Sequence, residues 1–235
     1  MPWWFRWDWA AAKNITRAGL PMKHLVLLSG GIDSAVALRW SLRQTKDVVA
    51  LTFDYHDRAA QEKQATVALA EAAGVPLRVV TLPFLREASD LSAEDRQNPH
   101  LADAPEGYVP ARNLVFYAIA ANVAETLGAS TIVGGHHGED AELFPDASRP
   151  FFDRFEDLAR LGVWSYRKRP FDVALPLGHR TKEEVVRLAF EWNVPLELTW
   201  SCYGDGARAC GRCRSCAERS AAFEAVGAAD PALVA

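Results

Sequence analysis

The string Ser29-Gly30-Gly31-Ile32-Asp33-Ser34 constrains this chain more than any other feature. It follows a short apolar run, residues 24–28, and leads into residues 34–43, where Val36, Ala37, Trp40 and Leu42 have helical spacing. A bounded apolar run of this length reads as a parallel strand buried on both faces. Two glycines between strand and helix let backbone N–H groups approach an anion closely. The helix N-terminus behind them adds the positive end of its dipole. Ser29 and Ser34 bring hydroxyl donors, and Asp33 brings a carboxylate suited to magnesium on a phosphate. A tight turn without a ligand needs only the two glycines; the full string points to a phosphate site.

The alternation then continues. Residues 48–53 read as a second buried strand ending at Asp54-Tyr55. Residues 59–73, rich in Ala, Glu, Lys and Gln, read as a helix stopped by Gly74, and 77–82 as a third strand. Strand and helix in turn predict an α/β fold with a doubly wound parallel sheet. Residues 86–107 are polar, with Pro99, Pro105 and Gly107, and read as a long lid or binding loop. A helix over 113–127 is closed by Gly128, and a strand over 130–133 ends in Gly134-Gly135-His136-His137. Residues 138–151 read as a loop, 152–161 as a helix, and 181–192 as a helix with Thr181 as its N-cap. The start, residues 1–22, carries Trp3, Trp4, Trp7 and Trp9 without the apolar core of a signal peptide. It reads as a surface flap, an interfacial anchor, or sequence ahead of a true start at Met22.

All four cysteines fall in one stretch, Cys202, Cys210, Cys213 and Cys216. Four thiolates this close in sequence match a closed, tetrahedral structural zinc site, with an iron–sulfur cluster as the rival reading. Arg208, Arg212 and Arg214 offset the negative charge of such a site. The formal net charge of −4 lacks the basic footprint of a duplex-binding protein, so a small-molecule substrate is expected and no stable nucleic-acid partner. No apolar run approaches the roughly 18 to 20 residues of a membrane span, so no membrane partner and a cytoplasmic location are expected.

The loop string closely resembles the PP-loop of the N-type ATP pyrophosphatases, which implies ATP cleavage between the α- and β-phosphates. A Gly-x-x-x-x-Gly-Lys-Ser/Thr string and a Gly-x-Gly-x-x-Gly fingerprint are both absent. Combined with the C-terminal cysteines, the chain resembles the 7-cyano-7-deazaguanine synthase family. Asp54-Tyr55, Arg58 and Glu62 match that family's stretch after the second strand. Tyr108-Val109-Pro110-Ala111-Arg112-Asn113 is similar to its Phe-Val-Pro-Gly-Arg-Asn motif. Asp140 with Pro145-Asp146 resembles its Asp-x-Ser-Gly-Tyr-Pro-Asp segment, and Thr199-Trp200-Ser201-Cys202-Tyr203 its approach to the metal cluster. The likeness runs from about His24 to Arg219. It departs at His56-Asp57, at Glu142-Leu143-Phe144, at Ala147-Ser148 and at His136-His137, where a substrate base would be read.

The resemblance implies an adenine-nucleotide α-hydrolase-like, Rossmann-like domain over 23–198 and a zinc-binding knuckle over 199–235. It implies an ATP-dependent ligase that joins a deazapurine acid and ammonia, and a homodimer. Leu28, Ser29, Gly30, Gly31, Asp33 and Ser34 would bind pyrophosphate and its magnesium, and Thr52 and Asp54 the adenosine. Tyr55, Arg58, Arg112, Asn113, His136, His137, Asp140 and Asp146 would meet the substrate. Asp33, Arg112 and Asp140 are the expected catalytic residues, Arg112 as a clamp on phosphate or carboxylate. Lys182 could reach a phosphate, but on an exposed helix turn it reads more readily as a solvated lysine. Alternatives are a related enzyme acting on another deazapurine acid or stopping at the amide, a PP-loop transfer RNA modifier, and a zinc-knuckle nucleic-acid module. No cysteine is left over for sulfur transfer, and the last reading leaves the phosphate loop unexplained.

Overall fold

A computed structural model describes residues 22–56, 58–86, 99–105, 108–204 and 206–234. The N-terminal extension and most of the 86–107 segment lie outside them. Five parallel strands form one sheet: β1 His24–Leu27, β2 Val48–His56, β3 Leu77–Arg86, β4 Thr131–Val133 and β5 Asp172–Ala174. Their order is β3-β2-β1-β4-β5. His24 lies level with Val48 on one side and Thr131 on the other. The chain therefore winds outward from β1 first toward β3, then crosses back to β4. The gap above the C-terminal ends of β1 and β4 is the topological switch point, where sheets of this kind bind ligands.

Helices cover both faces. They are α1 Ile32–Gln44, α2 Ala60–Ala73, α3 Arg112–Leu127, α4 Gly138–Leu143, α5 Arg149–Gly162, α6 Lys182–Glu191, α7 Arg214–Ala225 and α8 Pro231–Val234. Along β1, Val26 enters a core with Ile32, Val36, Leu69, Val185 and Phe223, while Leu25 enters another with Leu51, Tyr117, Ile132, Phe152 and Val173. Two covered faces explain why the central strands read as unbroken apolar runs. Phe223 of α7 meets Phe190 of α6 edge-on, so the C-terminal region is seated on the first of these cores. Helix ends follow the sequence signals. Gly74 and Gly128 adopt left-handed φ values of 65° and 69°, and Thr181 caps α6 in a reciprocal pair with Glu184. No helix among the described residues is long and apolar enough to cross a membrane.

Three features depart from the sequence reading. The segment 138–151, expected as a loop, holds α4, a 3-10 turn at Pro145–Ala147 and the start of α5, capped by Ser148. The cysteine-bearing tail forms α7. Strand β5 was not expected, and its stability comes from outside its own three residues. On its outer edge Val173 N–H donates to Glu156 at 2.9 Å, Arg149 Nη1 donates to the Val173 carbonyl at 3.1 Å, and Arg160 Nη2 to the Phe171 carbonyl at 2.8 Å. Side chains of α5 thus stand in for the missing neighbour strand and close the edge.

Candidate active site

A cavity of about 310 Å³ opens at the C-terminal ends of β1, β2 and β4. The phosphate loop forms one wall and is held by its own serines. Ser34 Oγ accepts from Ser29 N–H at 3.2 Å and from Ser29 Oγ at 3.1 Å, and donates to the Gly31 carbonyl at 3.0 Å. Gly30 has φ +101°, and a Cβ there would lie 2.6 Å from the Glu62 carbonyl. Only glycine fits that position. Trp200 N–H donates to the Gly30 carbonyl at 2.9 Å, so the segment before the cysteines closes the loop from behind.

Arg58 braces this wall. Its Nε donates to Glu62 Oε1 at 3.1 Å, Nη1 to Thr52 Oγ1 at 2.9 Å and the Phe53 carbonyl at 2.6 Å, and Nη2 to the Ser29 carbonyl at 2.6 Å and Thr66 Oγ1 at 3.0 Å. All five guanidinium N–H groups are therefore used within the protein. Arg58 borders the cavity but has no donor left for a substrate, and its part is to tie the loop to β2 and α2.

Opposite the loop stand groups from three distant segments. Lys182 Nζ lies 2.5 Å from Asp33 Oδ2. Of the two readings of Lys182, this overturns the solvated one: the first residue of α6 projects into the cavity wall. Burial pushes the Asp33 carboxyl up, but the Lys182 ammonium, with His137, outweighs it and holds Asp33 below the ordinary carboxylate value. Asp33 Oδ1 is buried without a hydrogen-bond partner among the described residues. Arg112, at the first position of α3, lines the cavity, and its guanidinium makes no hydrogen bond or ion pair among the described residues. Asn113 ties Asp146 to α3, its N–H donating to Oδ2 at 3.1 Å and its Nδ2 to the Asp146 carbonyl at 3.1 Å. Asp140 Oδ2 accepts from His137 N–H at 3.1 Å, which caps α4. His136 faces the cavity with Phe152 at 5.3 Å behind it, and burial pushes its pKa down so that the imidazole is neutral.

Of the residues singled out from sequence, Leu28, Ser29, Gly31, Asp33, Ser34, Thr52, Tyr55, Arg58, Arg112, Asn113, His136, Asp140 and Asp146 line this one cavity. Gly30 sits behind the loop, Asp54 turns away to pair with Lys63 at 2.6 Å, and His137 is buried beside α4. Sequence reasoning missed the pairing of Lys182 with Asp33, the place of Glu62 in the cavity wall, and an aromatic floor in which Phe53 and Phe116 stack at 4.1 Å. It also missed that Trp200, Ser201, Cys202 and Tyr203 reach the cavity. Phe116 carries no sequence signal, being one apolar residue among many on α3.

The backbone before Arg112 is strained. Ala111 has φ 54° and is exposed. An L-residue there is disfavoured by about 1–2 kcal/mol, partly offset in glycine by its freer unfolded chain. Ala111→Gly is therefore expected to stabilise the protein by roughly 0.5–1 kcal/mol, raising the melting temperature by about 2 °C in thermal denaturation. A fall on substitution would mean that the alanine methyl makes a contact worth more than the strain.

The cysteine sulfurs converge. All four Sγ atoms lie within 4.8 Å of one another, and Cys210 and Cys216 are 3.9 Å apart. A metal about 2.3 Å from four thiolates holds them roughly 3.8 Å apart, so the set fits one ion. Gly204 N–H and Cys210 N–H each donate to Cys202 Sγ at 3.3 Å. Backbone N–H groups of Arg212 and Cys213 pull the Cys210 thiol down to about 6. Such N–H donors stabilise thiolate, the form that binds a metal.

The family model described as queuosine biosynthesis protein QueC matches residues 23–227. The 7-cyano-7-deazaguanine synthase of Thermoplasma volcanium is 34% identical over 218 residues, covering 90% of each chain. That of Thermosynechococcus vestitus is 36% identical over 219 residues, covering 89% of this chain and 94% of its own. The 7-cyano-7-deazaguanine synthase 2 of Sulfurisphaera tokodaii is 36% identical, and this chain spans 47% of its length. Among solved structures, the NMN synthetase of Francisella tularensis shares the fold, with a TM-score of 0.51 over 89% of this chain and 79% of that one at 16% identity. The chain belongs to the QueC family.

Proposed function

We propose that the protein converts 7-carboxy-7-deazaguanine and ammonia to 7-cyano-7-deazaguanine, with two ATP molecules each giving AMP and pyrophosphate. The observation that carries this reading is a single cavity shared by the phosphate loop, the Phe53–Phe116 floor and Arg112, whose guanidinium has no partner among the described residues. A carboxylate resists attack because oxide leaves poorly. Transfer of AMP to its oxygen makes a good leaving group, and ammonia displaces it to give the amide. Adenylation of the amide oxygen then permits loss of that oxygen and formation of the nitrile. Both steps present an oxygen to the same α-phosphate, so one site serves both, by positioning and by charge stabilisation.

In this reading the N–H groups of the loop, with Ser29 and Ser34, hold the departing pyrophosphate, and Thr52 borders the adenosine. Arg112 clamps the α-phosphate or the carboxylate. Asp140 and Asp146 read the polar edge of the base near the neutral His136. Asp33 Oδ1, without a partner among the described residues, is where magnesium would fit, and the ion would neutralise the pyrophosphate. The close convergence of the four sulfurs favours one zinc ion over a multi-iron cluster, which spreads its thiolates over separate irons. We take the division at residues 198 and 199, a cytoplasmic location and a homodimer as part of the same reading. Free thiols suit a reducing compartment, and light scattering tests the dimer.

The test is mass spectrometry of a reaction with ATP, magnesium, ammonium and 7-carboxy-7-deazaguanine, with AMP followed in parallel. Nitrile with AMP is the expected result. Amide that accumulates without nitrile would place the chain, with its unusual Glu142-Leu143-Phe144, in a branch that stops halfway. Unchanged acid without AMP would overturn the substrate assignment.

A further inference from the structure

We propose that Lys182 meets the pyrophosphate as it leaves ATP, and that before nucleotide binds the same ammonium holds Asp33 and keeps magnesium off it. This rests on the adenylation reading above. Cleavage between the α- and β-phosphates leaves an electron pair on the oxygen that had bridged them. The group that can meet this charge is a cation beside the phosphate loop with donors still to give.

Three cations line the cavity among the described residues: Arg58, Arg112 and Lys182. Arg58 uses all five N–H groups within the protein. Arg112 is taken up by the α-phosphate or the carboxylate in the reading above. Lys182 stands apart because its partner belongs to the loop itself. Its Nζ donates to Asp33 Oδ2 at 2.5 Å, and Asp33 is the second residue of α1, whose N-terminus holds the phosphates in that reading. An ammonium has three N–H groups, and the other two have no partner among the described residues. Its own helix turn does not compete for them. Glu183 pairs with Arg187, and Glu184 pairs with Arg180 and accepts from Thr181 N–H at 3.0 Å. That cap fixes the backbone from which the lysine reaches across the cavity wall. The Lys182 side chain is 16% exposed and that of Asp33 26%, so a ligand in the cavity can reach the pair.

The guard on Asp33 follows from charge. Lys182 takes Oδ2, and Oδ1 is buried without a partner among the described residues. A divalent ion on Oδ1 would stand within a few ångströms of the ammonium, and two cations on one carboxylate repel. The phosphates of ATP remove the conflict, because they add negative charge and give the ammonium a second anion to bind. The metal therefore enters with nucleotide rather than ahead of it. In the step itself, an oxygen of the acid forms its bond to the α-phosphorus. The bond from that phosphorus to the bridging oxygen breaks, its electron pair stays on the departing oxygen, and no proton is transferred. Lys182 stabilises the charge that builds up there. A compact ammonium on a flexible stem can pass from one anion to another, which a planar fork does less readily.

Lys182→Gln keeps a donor for Asp33 and removes the charge. Two measurements separate the roles. Electron paramagnetic resonance of manganese(II), standing in for magnesium, reads metal binding to the protein without nucleotide. Acid-dependent exchange of pyrophosphate into ATP reads adenylation. In the variant, manganese affinity without nucleotide is expected to rise about tenfold or more, since a neighbouring positive charge is gone. The exchange rate at saturating ATP is expected to fall about a hundredfold. Manganese affinity at the parental value would overturn the guard and leave the pair a brace of the fold. Exchange within about fivefold of the parent would overturn the role at the pyrophosphate. Lys182→Met repeats both measurements if the glutamine variant does not fold. A parent protein that shows no acid-dependent exchange sinks the adenylation reading and the role at the pyrophosphate with it, while the manganese titration still decides the guard.

Discussion

Arg58→Met is expected to lower the melting temperature by roughly 10 °C and to abolish measurable ATP binding in the protein that remains folded. The side chain is 2% exposed, and its five N–H groups bind the Ser29 and Phe53 carbonyls, Thr52, Thr66 and Glu62. Removing one member of a buried ion pair costs about 3–5 kcal/mol, chiefly because the other charge is left without a partner. For a domain of this size each kcal/mol corresponds to about 2–4 °C. The functional loss follows from geometry. The Ser29 carbonyl is the point at which Arg58 grips the phosphate loop, and without it the loop N–H groups lose their common direction. Arg58→Lys should fall between, since an ammonium keeps the charge against Glu62 but lacks the planar fork that spans five acceptors. Thermal denaturation and nucleotide titration on the same samples check both statements. Parental stability in the methionine variant would show that the brace is dispensable.

The sheet was legible in the sequence wherever a strand carries its own apolar run. Residues 24–28 and 48–53 face two cores and show it. The short strand β5 does not, because Asp172, Val173 and Ala174 owe their place to Glu156, Arg149 and Arg160 on α5. That support is tertiary and leaves no period in the chain. The site divides in the same way. The phosphate loop is contiguous, so its glycines and serines can be read from one string. The partner of Asp33 is 149 residues away, and nothing local distinguishes Lys182 from a solvated lysine at the start of an amphipathic helix. Arg58 was legible as a residue that matters, but not what it does: an arginine that binds substrate and one that braces the backbone look alike until their acceptors are counted. Ala111 gives the opposite case, in which a departure from the family's glycine, visible in the sequence, becomes measurable strain in the fold.

Stripping metal from the cysteine knuckle is expected to weaken ATP binding as well as to destabilise the fold. Cys202 is two residues from Trp200, whose N–H holds the Gly30 carbonyl at 2.9 Å and whose indole Nε1 donates to the Cys202 carbonyl at 2.7 Å. The same segment is gripped from behind by Arg219, which donates to Thr199 Oγ1 at 2.9 Å and Ser201 Oγ at 3.2 Å and is locked by Asp230 at 2.5 Å and 2.8 Å. Four thiolates drawn together without an ion repel one another as they ionise, and Cys202 is the one that pulls on the phosphate loop when they separate. Loss of one backbone hydrogen bond at the loop corresponds to about 1 kcal/mol, or a five- to tenfold weaker ATP affinity. The stability loss is larger, because binding free energy of a structural ion is folding free energy for the segment it closes. Isothermal titration with ATP before and after chelation, and again after refilling with zinc, separates the two effects. Restored stability and restored affinity together would establish that the knuckle sets the shape of the nucleotide site. Unchanged affinity in the stripped protein would mean that Arg219 and Asp230 hold residues 199–201 unaided, and that the metal serves only the tail beyond them.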